Sequence, residues 1–401
     1  MNTEELRIAA STYGTPTYIF DVREVEARIR LLRSLLPEGT GLCFAVKANP
    51  FLIPYVADMV DRLEVCSPGE YEICIQTEIA PEKIVVSGVN KTYESMKRIL
   101  SYSKGAGIYT IESEEHAKIL RTLAEKNQMQ LSVLIRLSSG NQFGVDVETF
   151  IQLAKEVQES PYLTLAGVHY YAGTQKRQSK LEKEMDTLAA FAGTFEAETG
   201  TRLPELEYGA GMKVSYFVND SEKDQRESEP EPQIQALAEK LRACDAYGKK
   251  TIELGRFLVS MSGYYLTRVM DVKRTAQPGF VILDGGIHQI NYYGWMMGMK
   301  QPEIKVLAEK DGDDGELFHL CGSLCTVNDV LARDVTLHNP EKGDVICFKR
   351  CGAYAATEGM AMFLSRELPQ VLISRTDGKI EKLRERVETY PFHGGGNWNR
   401  M

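Results

Sequence analysis

Lys47 closes the apolar run GLCFAV at 41–46 and is followed by Ala-Asn-Pro. An amine at the end of a buried strand loses hydration, so its pKa falls and it becomes competent to form a Schiff base with a carbonyl. A lysine exposed at a strand end would have the same local sequence, and position alone leaves both readings open. Glu253 lies in KTIELG at 250–255, just before Gly255 and Arg256. Its carboxylate is suited to keeping a cationic ring protonated, or simply to pairing with Arg256. Three glycine-bearing turns also follow apolar runs: VHYYAGTQ, YGAGM with Gly209 and Gly211, and ELGR. Backbone N–H groups in such turns hold anions, and Thr174 adds a hydroxyl. Each turn alone reads equally well as a tight strand-to-helix connection. Three on successive late strands of one barrel point to a phosphate.

The eight cysteines are scattered: Cys43, Cys66, Cys74, Cys244, Cys321, Cys325, Cys347 and Cys351. Two pairs, Cys321/Cys325 and Cys347/Cys351, lack the C-x-x-C spacing of zinc sites and sit in strand-like stretches, so no metal is expected. A large chain with ample apolar core does not need a disulfide scaffold, and a reduced, cytoplasmic protein is expected. The opening MNTEELRIAASTYG has no apolar core of a signal peptide, and no apolar run approaches the roughly 20 residues of a membrane span. With 47 basic and 56 acidic side chains the net charge is −9, which gives no general attraction for nucleic acid or membranes. Any phosphate must be held locally.

At 401 residues, 43% hydrophobic and 26% charged, the chain is a globular protein of two domains. Eight short apolar runs alternate with helix-period segments such as EVEARIRLLRSLL: 41–46, 62–66, 83–88, 107–111, 131–137, 165–171, 204–209 and 250–255. That alternation predicts a (β/α)8 barrel over 21–268, with parallel strands buried on both faces. Beyond it FVILDGG, ELFHLCG, GDVICFKRCGAYA and LPQVLIS predict a β-sandwich or barrel domain over 269–401. The strand-like TPTYIFD places residues 1–20 with that domain, and charged, proline-bearing SEKDQRESEPEPQ at 221–233 reads as an exposed loop.

Taken in order, FAVKANP, VCSPGE, VHYYAGTQ, LEYGAG, ELGRFLV, CGSLCTVND and GAYAATEGMAMF resemble the motifs of fold-type III pyridoxal-phosphate (PLP) decarboxylases, the group of diaminopimelate, ornithine and arginine decarboxylases. The resemblance covers nearly the whole chain. It implies an alanine-racemase-like PLP barrel, a C-terminal β domain, and a homodimer whose active sites combine residues of both subunits. It makes Lys47 the Schiff-base lysine and Glu253 the partner of the pyridine nitrogen, and sets Gly211, Gly255, Arg256 and Tyr354 around the phosphate. Cys325 and Asp329 match the loop given by the neighbouring subunit, where the cysteine assists protonation after carbon dioxide departs.

The departures bear on the substrate. In the family's His-x-His-x-Gly-Ser motif His169 keeps the first position, while Tyr171 replaces the histidine that stacks on the ring; an aromatic ring can still stack. Leu254 replaces the proline of Glu-Pro-Gly-Arg. Diaminopimelate decarboxylases carry a glutamate after the cysteine to hold the distal ammonium; here it is Thr326, which is neutral. The Arg-Pro pair that follows Asp-Gly-Gly in the family, a substrate-carboxylate site, is also missing. Tyr292, Tyr293, Trp295, Met296, Met297 and Met299 stand there instead, as core or dimer packing or as a wider apolar substrate site with Tyr293 in contact. Both losses resemble decarboxylases of secondary pathways, including the butirosin-pathway enzyme acting on carrier-protein-bound glutamate. They imply an amino-acid head group on a larger or carrier-linked substrate. Other readings are diaminopimelate decarboxylation in lysine biosynthesis, a racemase on the same barrel, and a non-catalytic single-barrel PLP protein. Glu253 opposes the racemase, whose ring nitrogen meets an arginine, and the β domain of roughly 130 residues opposes the single-barrel protein.

Overall fold

The computed structural model describes residues 1–274, 277–292, 298–308 and 315–394. It divides into two compact units. One holds Ala27–Val214 and Gln225–Leu258, the other Met1–Glu26, Ser215–Asp224 and Val259–Met401.

Strand β1 (Thr17–Asp21) belongs to the second unit. The next eight strands are β2 (Gly41–Ala45), β3 (Arg62–Val65), β4 (Ile84–Val86), β5 (Ile108–Ile111), β6 (Leu131–Arg136), β7 (Leu163–Tyr171), β8 (Glu205–Gly209) and β9 (Lys249–Leu254). They close a parallel barrel in chain order, with β9 returning to β2 from Gly41↔Thr251 to Phe44↔Leu254. These are the eight runs read from the sequence. β2, β4, β5 and β8 are buried at every position, as parallel strands must be when helices cover one face and side chains fill the other. The covering helices begin where a side chain can satisfy a free backbone N–H. Ser67, Thr92, Ser113 and Asp146 cap Pro68–Gln76, Tyr93–Ser103, Glu114–Asn127 and Val147–Glu159, each accepting from the third helical residue. Helix Gln178–Thr199 ends on Gly200, which adopts a φ of +69° that glycine allows without strain. Between Val147–Glu159 and Gln178–Thr199, Phe150 meets Phe191 edge-on at 4.9 Å and Phe195 at 5.9 Å.

The remaining strands are β10 (Gly263–Lys273), β11 (Gly279–Leu283), β12 (Ile304–Val306), β13 (Glu316–Cys321), β14 (Val330–Leu337), β15 (Val345–Lys349), β16 (Gln370–Ser374) and β17 (Ile380–Arg384). With β1 they form a nine-stranded sheet of order β14-β13-β11-β10-β1-β16-β17, to which β15 adds on β10 and β12 on β15. The strand read from TPTYIFD is central: β1 runs antiparallel to β10 and parallel to β16, and all five of its residues are buried. Helix Thr3–Tyr13, opened by an Asn2–Glu5 capping box, packs Leu6, Ala9 and Ala10 on Ile19, Tyr264, Leu266 and Leu372.

Two features differ from the sequence expectations. Residues 221–233 are largely helical, forming Glu222–Glu227 and the start of Pro230–Ala243, whose proline occupies a first-turn position that needs no N–H donor. Charge and proline masked a helix there. The expected boundary at 268/269 falls inside β10, a continuous strand bonded to β1, β11 and β15. Segment Ser215–Asp224 also joins the sheet unit, where Tyr216 and Phe217 each meet Tyr292 at 6.1 Å.

Phe150 is fully buried, and its truncation leaves a cavity that two helices cannot close. Phe150→Ala is expected to destabilise the chain by about 3–5 kcal/mol, read from denaturant unfolding followed by tryptophan fluorescence. A loss below about 1 kcal/mol would show that the helix pair is not packed through this ring.

Candidate active site

Strand β2 runs into a single 3-10 turn, Val46–Ala48, that carries Lys47. The barrel register decides what it meets. Ala45 is opposite Glu64 on β3, and Cys43 is opposite Glu253 on β9, so both carboxylates lie beside the end of β2. Lys47 Nζ donates to Glu64 Oε2 at 2.7 Å and lies 3.7 Å from Glu253 Oε1. Cys66, one residue past β3, donates its thiol to Glu64 Oε1 at 3.1 Å, with its sulfur 3.6 Å from Lys47 Nζ.

On the other side of Glu253, His169 Nε2 is 2.9 Å from Oε2. His169 on β7 is paired in register with Glu207 on β8. Arg62 on β3 donates to Glu207 at 2.8 Å and to Glu205 at 2.7 Å. The barrel interior is therefore polar at this level, and the carboxylates differ in state. Burial acts to raise the pKa of Glu253, but Lys47, the His169 hydrogen bond and Arg136 bring it down to about 2. Glu207 goes the other way: burial, and secondarily the charge of Glu253, push it up to about 7 against His169 and Arg62. Burial would lower the Lys47 amine, yet Glu64 and Glu253 outweigh that and hold it well above its usual value. The expectation of a depressed lysine pKa is corrected for the chain by itself, because two acids sit within reach. Burial and the neighbouring Glu64 raise the Cys66 thiol, so it stays protonated.

The glycine turns lie at the ends of neighbouring strands. Gly211 has a φ of +58°, and a Cβ there would sit 2.2 Å from Gly173 O, so the two turns touch through backbone. Among the described residues, none accepts a hydrogen bond from the amides of Gly173, Thr174 or Gly211. Tyr171 lays its ring against Gly209, where a Cβ would be 2.5 Å from the ring, and the Lys47 ammonium lies 5.8 Å from the ring centroid. A Cβ on Gly255 would meet Ala48 Cβ at 2.9 Å, so the turn bearing Lys47 and the segment leading to buried Arg256 pack closely. A lysine amine, an ionised carboxylate, an aromatic face and amides without an acceptor among the described residues make a donor set that fits a phosphorylated pyridine aldehyde.

The structure thus brings together Lys47, His169, Tyr171, Glu253 and the turns of Thr174, Gly209, Gly211, Gly255 and Arg256. Cys325, Thr326, Asp329 and Tyr354 lie in the sheet unit. Cys325 is exposed and Thr326 half-buried, whereas Tyr354 takes a left-handed φ of +64°. Asp329 is buried and accepts N–H bonds from Ile287 at 2.8 Å and Leu324 at 2.7 Å. Its carboxylate thereby holds its own loop. Tyr293 lies outside the described residues, as do Trp295, Met296 and Met297. The sequence reading passed over Glu64, Cys66 and Glu207. The signal was a charged residue inside an apolar strand, RLEVC and PELEYG, where only an internal partner makes burial tolerable. Among the described residues, His169, Glu207 and Glu253 bring ligand-type atoms within 4.8 Å of one another. Arg62 and Lys47 already engage the two acids, which makes the trio an ion-pair and proton-sharing set.

The profile of the family described as "Pyridoxal-dependent decarboxylase, pyridoxal binding domain" matches residues 22–260. The diaminopimelate decarboxylase of Pseudomonas aeruginosa is 28% identical, over 94% of this chain and 92% of its own length. The L-glutamyl-[BtrI acyl-carrier protein] decarboxylase of Niallia circulans is 27% identical, over 96% of this chain and 95% of its own length. The solved diaminopimelate decarboxylase of Helicobacter pylori, in complex with L-lysine, superposes with a TM-score of 0.81 at 22% identity, covering 97% of this chain and 98% of that one; it shows the same fold. Among the described residues, no helix is long and apolar enough to cross a membrane.

The raised pKa of Glu207 has a consequence for stability. The folded chain holds this proton up to about pH 7, whereas the unfolded carboxyl releases it near its ordinary value. Folding takes up a proton between those limits, so this residue makes stability fall as pH rises through that window and contributes no slope above it. Glu207→Gln is expected to flatten the dependence of the unfolding midpoint between about pH 5 and 7.5. An unchanged slope would assign the proton elsewhere.

Proposed function

The chain belongs to the pyridoxal-dependent decarboxylases and is a PLP-dependent carboxy-lyase of amino-acid metabolism; from that premise we propose that Lys47 holds the cofactor and that the substrate is an amino acid on a larger or carrier-linked molecule. The observation that carries the chemistry is the Lys47–Glu64–Glu253 contact set, with Glu64 at 2.7 Å and Glu253 at 3.7 Å from the amine.

PLP, when bound, supplies the electron sink that takes up the pair left on the α-carbon as carbon dioxide departs. The amine of Lys47 must lose a proton before it can bond covalently, and Glu64 Oε2, the nearer of its two carboxylate partners, is placed to accept it. Cys66 occupies the other oxygen of Glu64, which fixes the carboxylate with Oε2 turned to Lys47. Glu253 stays ionised, oriented by His169, and a carboxylate so placed keeps the proton on a pyridine nitrogen. That choice favours decarboxylation over racemisation, because a protonated ring is the deeper sink. Tyr171 offers a flat face for stacking. Amides of the Gly173–Thr174 and Gly209–Gly211 turns, with the Thr174 hydroxyl, Gly255 and Arg256, hold the phosphate.

Tyr354, Cys325 and Thr326 take their parts from the family pattern. In that pattern Tyr354 completes the phosphate site. Cys325 reaches the site of the other subunit in a homodimer and gives a proton to the carbanion, and Thr326 lies at the far end of the substrate. A neutral threonine cannot hold a distal ammonium by a charge-assisted bond, and the family's Arg-Pro carboxylate site is absent from DGGIHQINYYGW. Both losses favour a substrate without a free charged far end. The relative from Niallia circulans, named for a carrier-bound glutamyl substrate, supports this reading. The diaminopimelate decarboxylase relatives support the second one, turnover of free diaminopimelate.

Two measurements separate these statements. Lys47→Ala should lose the visible absorbance of the bound cofactor together with carbon dioxide release; a variant that keeps the colour moves the cofactor to another lysine. For the substrate, kcat/KM for a carrier-linked L-glutamyl group should exceed that for free meso-diaminopimelate by about 100-fold or more, the size of one missing charge-assisted contact. Equal or faster turnover of free diaminopimelate would establish the second reading.

A further inference from the structure

Lys176 lies behind the glycine turns and has a role in none of the steps above. Its side chain is 1% exposed, an unusual place for an ammonium. Three polar contacts hold it. Its backbone N–H donates to Gly211 O at 2.9 Å, its Nζ to Gly209 O at 2.9 Å, and its Nζ again to Glu184 Oε2 at 2.7 Å. Glu184, itself buried in helix Gln178–Thr199, also accepts from Tyr208 OH at 2.8 Å. The ammonium lies 5.6 Å from the centre of the Tyr171 ring and 5.1 Å from that of Tyr208. Burial lowers its pKa, and Glu184 acts in the opposite sense.

We propose that Lys176 is a positioning residue for the cofactor's phosphate, a buried clamp that ties the Gly173–Gln175 turn to the Gly209–Gly211 turn. The inference rests on the PLP reading given above. A residue that captures the carbonyls of Gly209 and Gly211 fixes the Gly209–Ala210 and Gly211–Met212 peptide planes, and with them the orientation of the Ala210–Gly211 peptide between, whose N–H is that of Gly211. That creates a donor-lined surface of the kind that binds anions. The amide of Gly211 and those of Gly173 and Thr174 in the other turn have no acceptor among the described residues. The close approach also explains the glycine: a Cβ on Gly211 would lie 2.9 Å from Lys176 Cε as well as 2.2 Å from Gly173 O. Because Glu184 neutralises the ammonium, Lys176 acts by geometry and not as a bare charge.

The test compares two ligands on the full-length chain stripped of cofactor: PLP, and pyridoxal, which has the aldehyde and ring but no phosphate. Binding is followed by visible absorbance. Lys176→Met keeps the backbone N–H and the side-chain volume and removes both Nζ bonds. It should weaken PLP by about 10- to 100-fold while changing pyridoxal by less than about threefold, since one or two hydrogen bonds from a charged group are lost only at the phosphate end. A double variant, Lys176→Met with Glu184→Met, repacks the ion pair with apolar groups and should recover thermal stability without recovering PLP affinity. Equal loss for both ligands, unchanged PLP affinity, or recovery in the double variant would each overturn the clamp. If the wild-type chain itself binds PLP no better than pyridoxal, the phosphate assignment fails and the clamp with it. If wild type prefers PLP and Lys176→Met keeps that preference, the clamp alone fails.

Discussion

Four glutamates buried inside one barrel, and the scarcity of cations to pair with them, govern the arrangement at its mouth. Glu64, Glu205, Glu207 and Glu253 are each at most 5% exposed. A buried carboxylate is unfavourable by several kcal/mol unless a partner compensates. Arg62 serves Glu205 and Glu207, with Lys249 3.9 Å from Glu205, and Lys47 serves Glu64 and Glu253, so Arg62 and Lys47 each answer two acids. His169 adds a hydrogen bond to Glu253. Burial, with the charge of Glu253 adding to it, makes Glu207 retain its proton to about pH 7. A cationic pyridine ring beside Glu253 would relieve that imbalance, which is a physical reason for a decarboxylase of this family to keep such an expensive interior.

Register makes the arrangement possible. Parallel pairing sets Ala45 opposite Glu64, Cys43 opposite Glu253 and His169 opposite Glu207, so that residues far apart in sequence share one level of the barrel. A slip of one residue in β3 or β9 would turn the carboxylate toward the helices and leave Lys47 without it. The same architecture supplies the rim proposed to bind the phosphate, because β7 and β8 end in turns close enough for Lys176 to bridge both. The charged interior and the glycine-turn rim proposed to hold the phosphate thus come from neighbouring strands of one framework.

The barrel was legible in the sequence because its strands are continuous apolar runs separated by well-capped helices, and every run found a strand. Lys47 and Glu253 were legible as charged residues at strand ends. Glu64 and Glu207 were not, since a single acid within RLEVC or PELEYG looks like an outward-facing residue until the barrel closes and supplies Lys47 and Arg62. Lys176 was hidden for a similar reason: AGTQKRQ reads as a polar turn, and the burial of its lysine comes from Glu184 eight residues later and Tyr208 on the next strand. Helix Glu222–Glu227 was hidden because charge and proline are as common in exposed helix starts as in loops.

Lys47 is half-buried, whereas Lys91 and Lys176 are nearly inaccessible, so burial by itself does not decide which lysine carries the cofactor. Borohydride reduction of the cofactor-loaded protein, followed by proteolysis and mass spectrometry, fixes the position of the covalent bond directly. The phosphopyridoxyl group is predicted on Lys47, in the peptide that contains FAVKANP, in stoichiometric amount. Its appearance on Lys91 or Lys176, or on no lysine, would contradict the account.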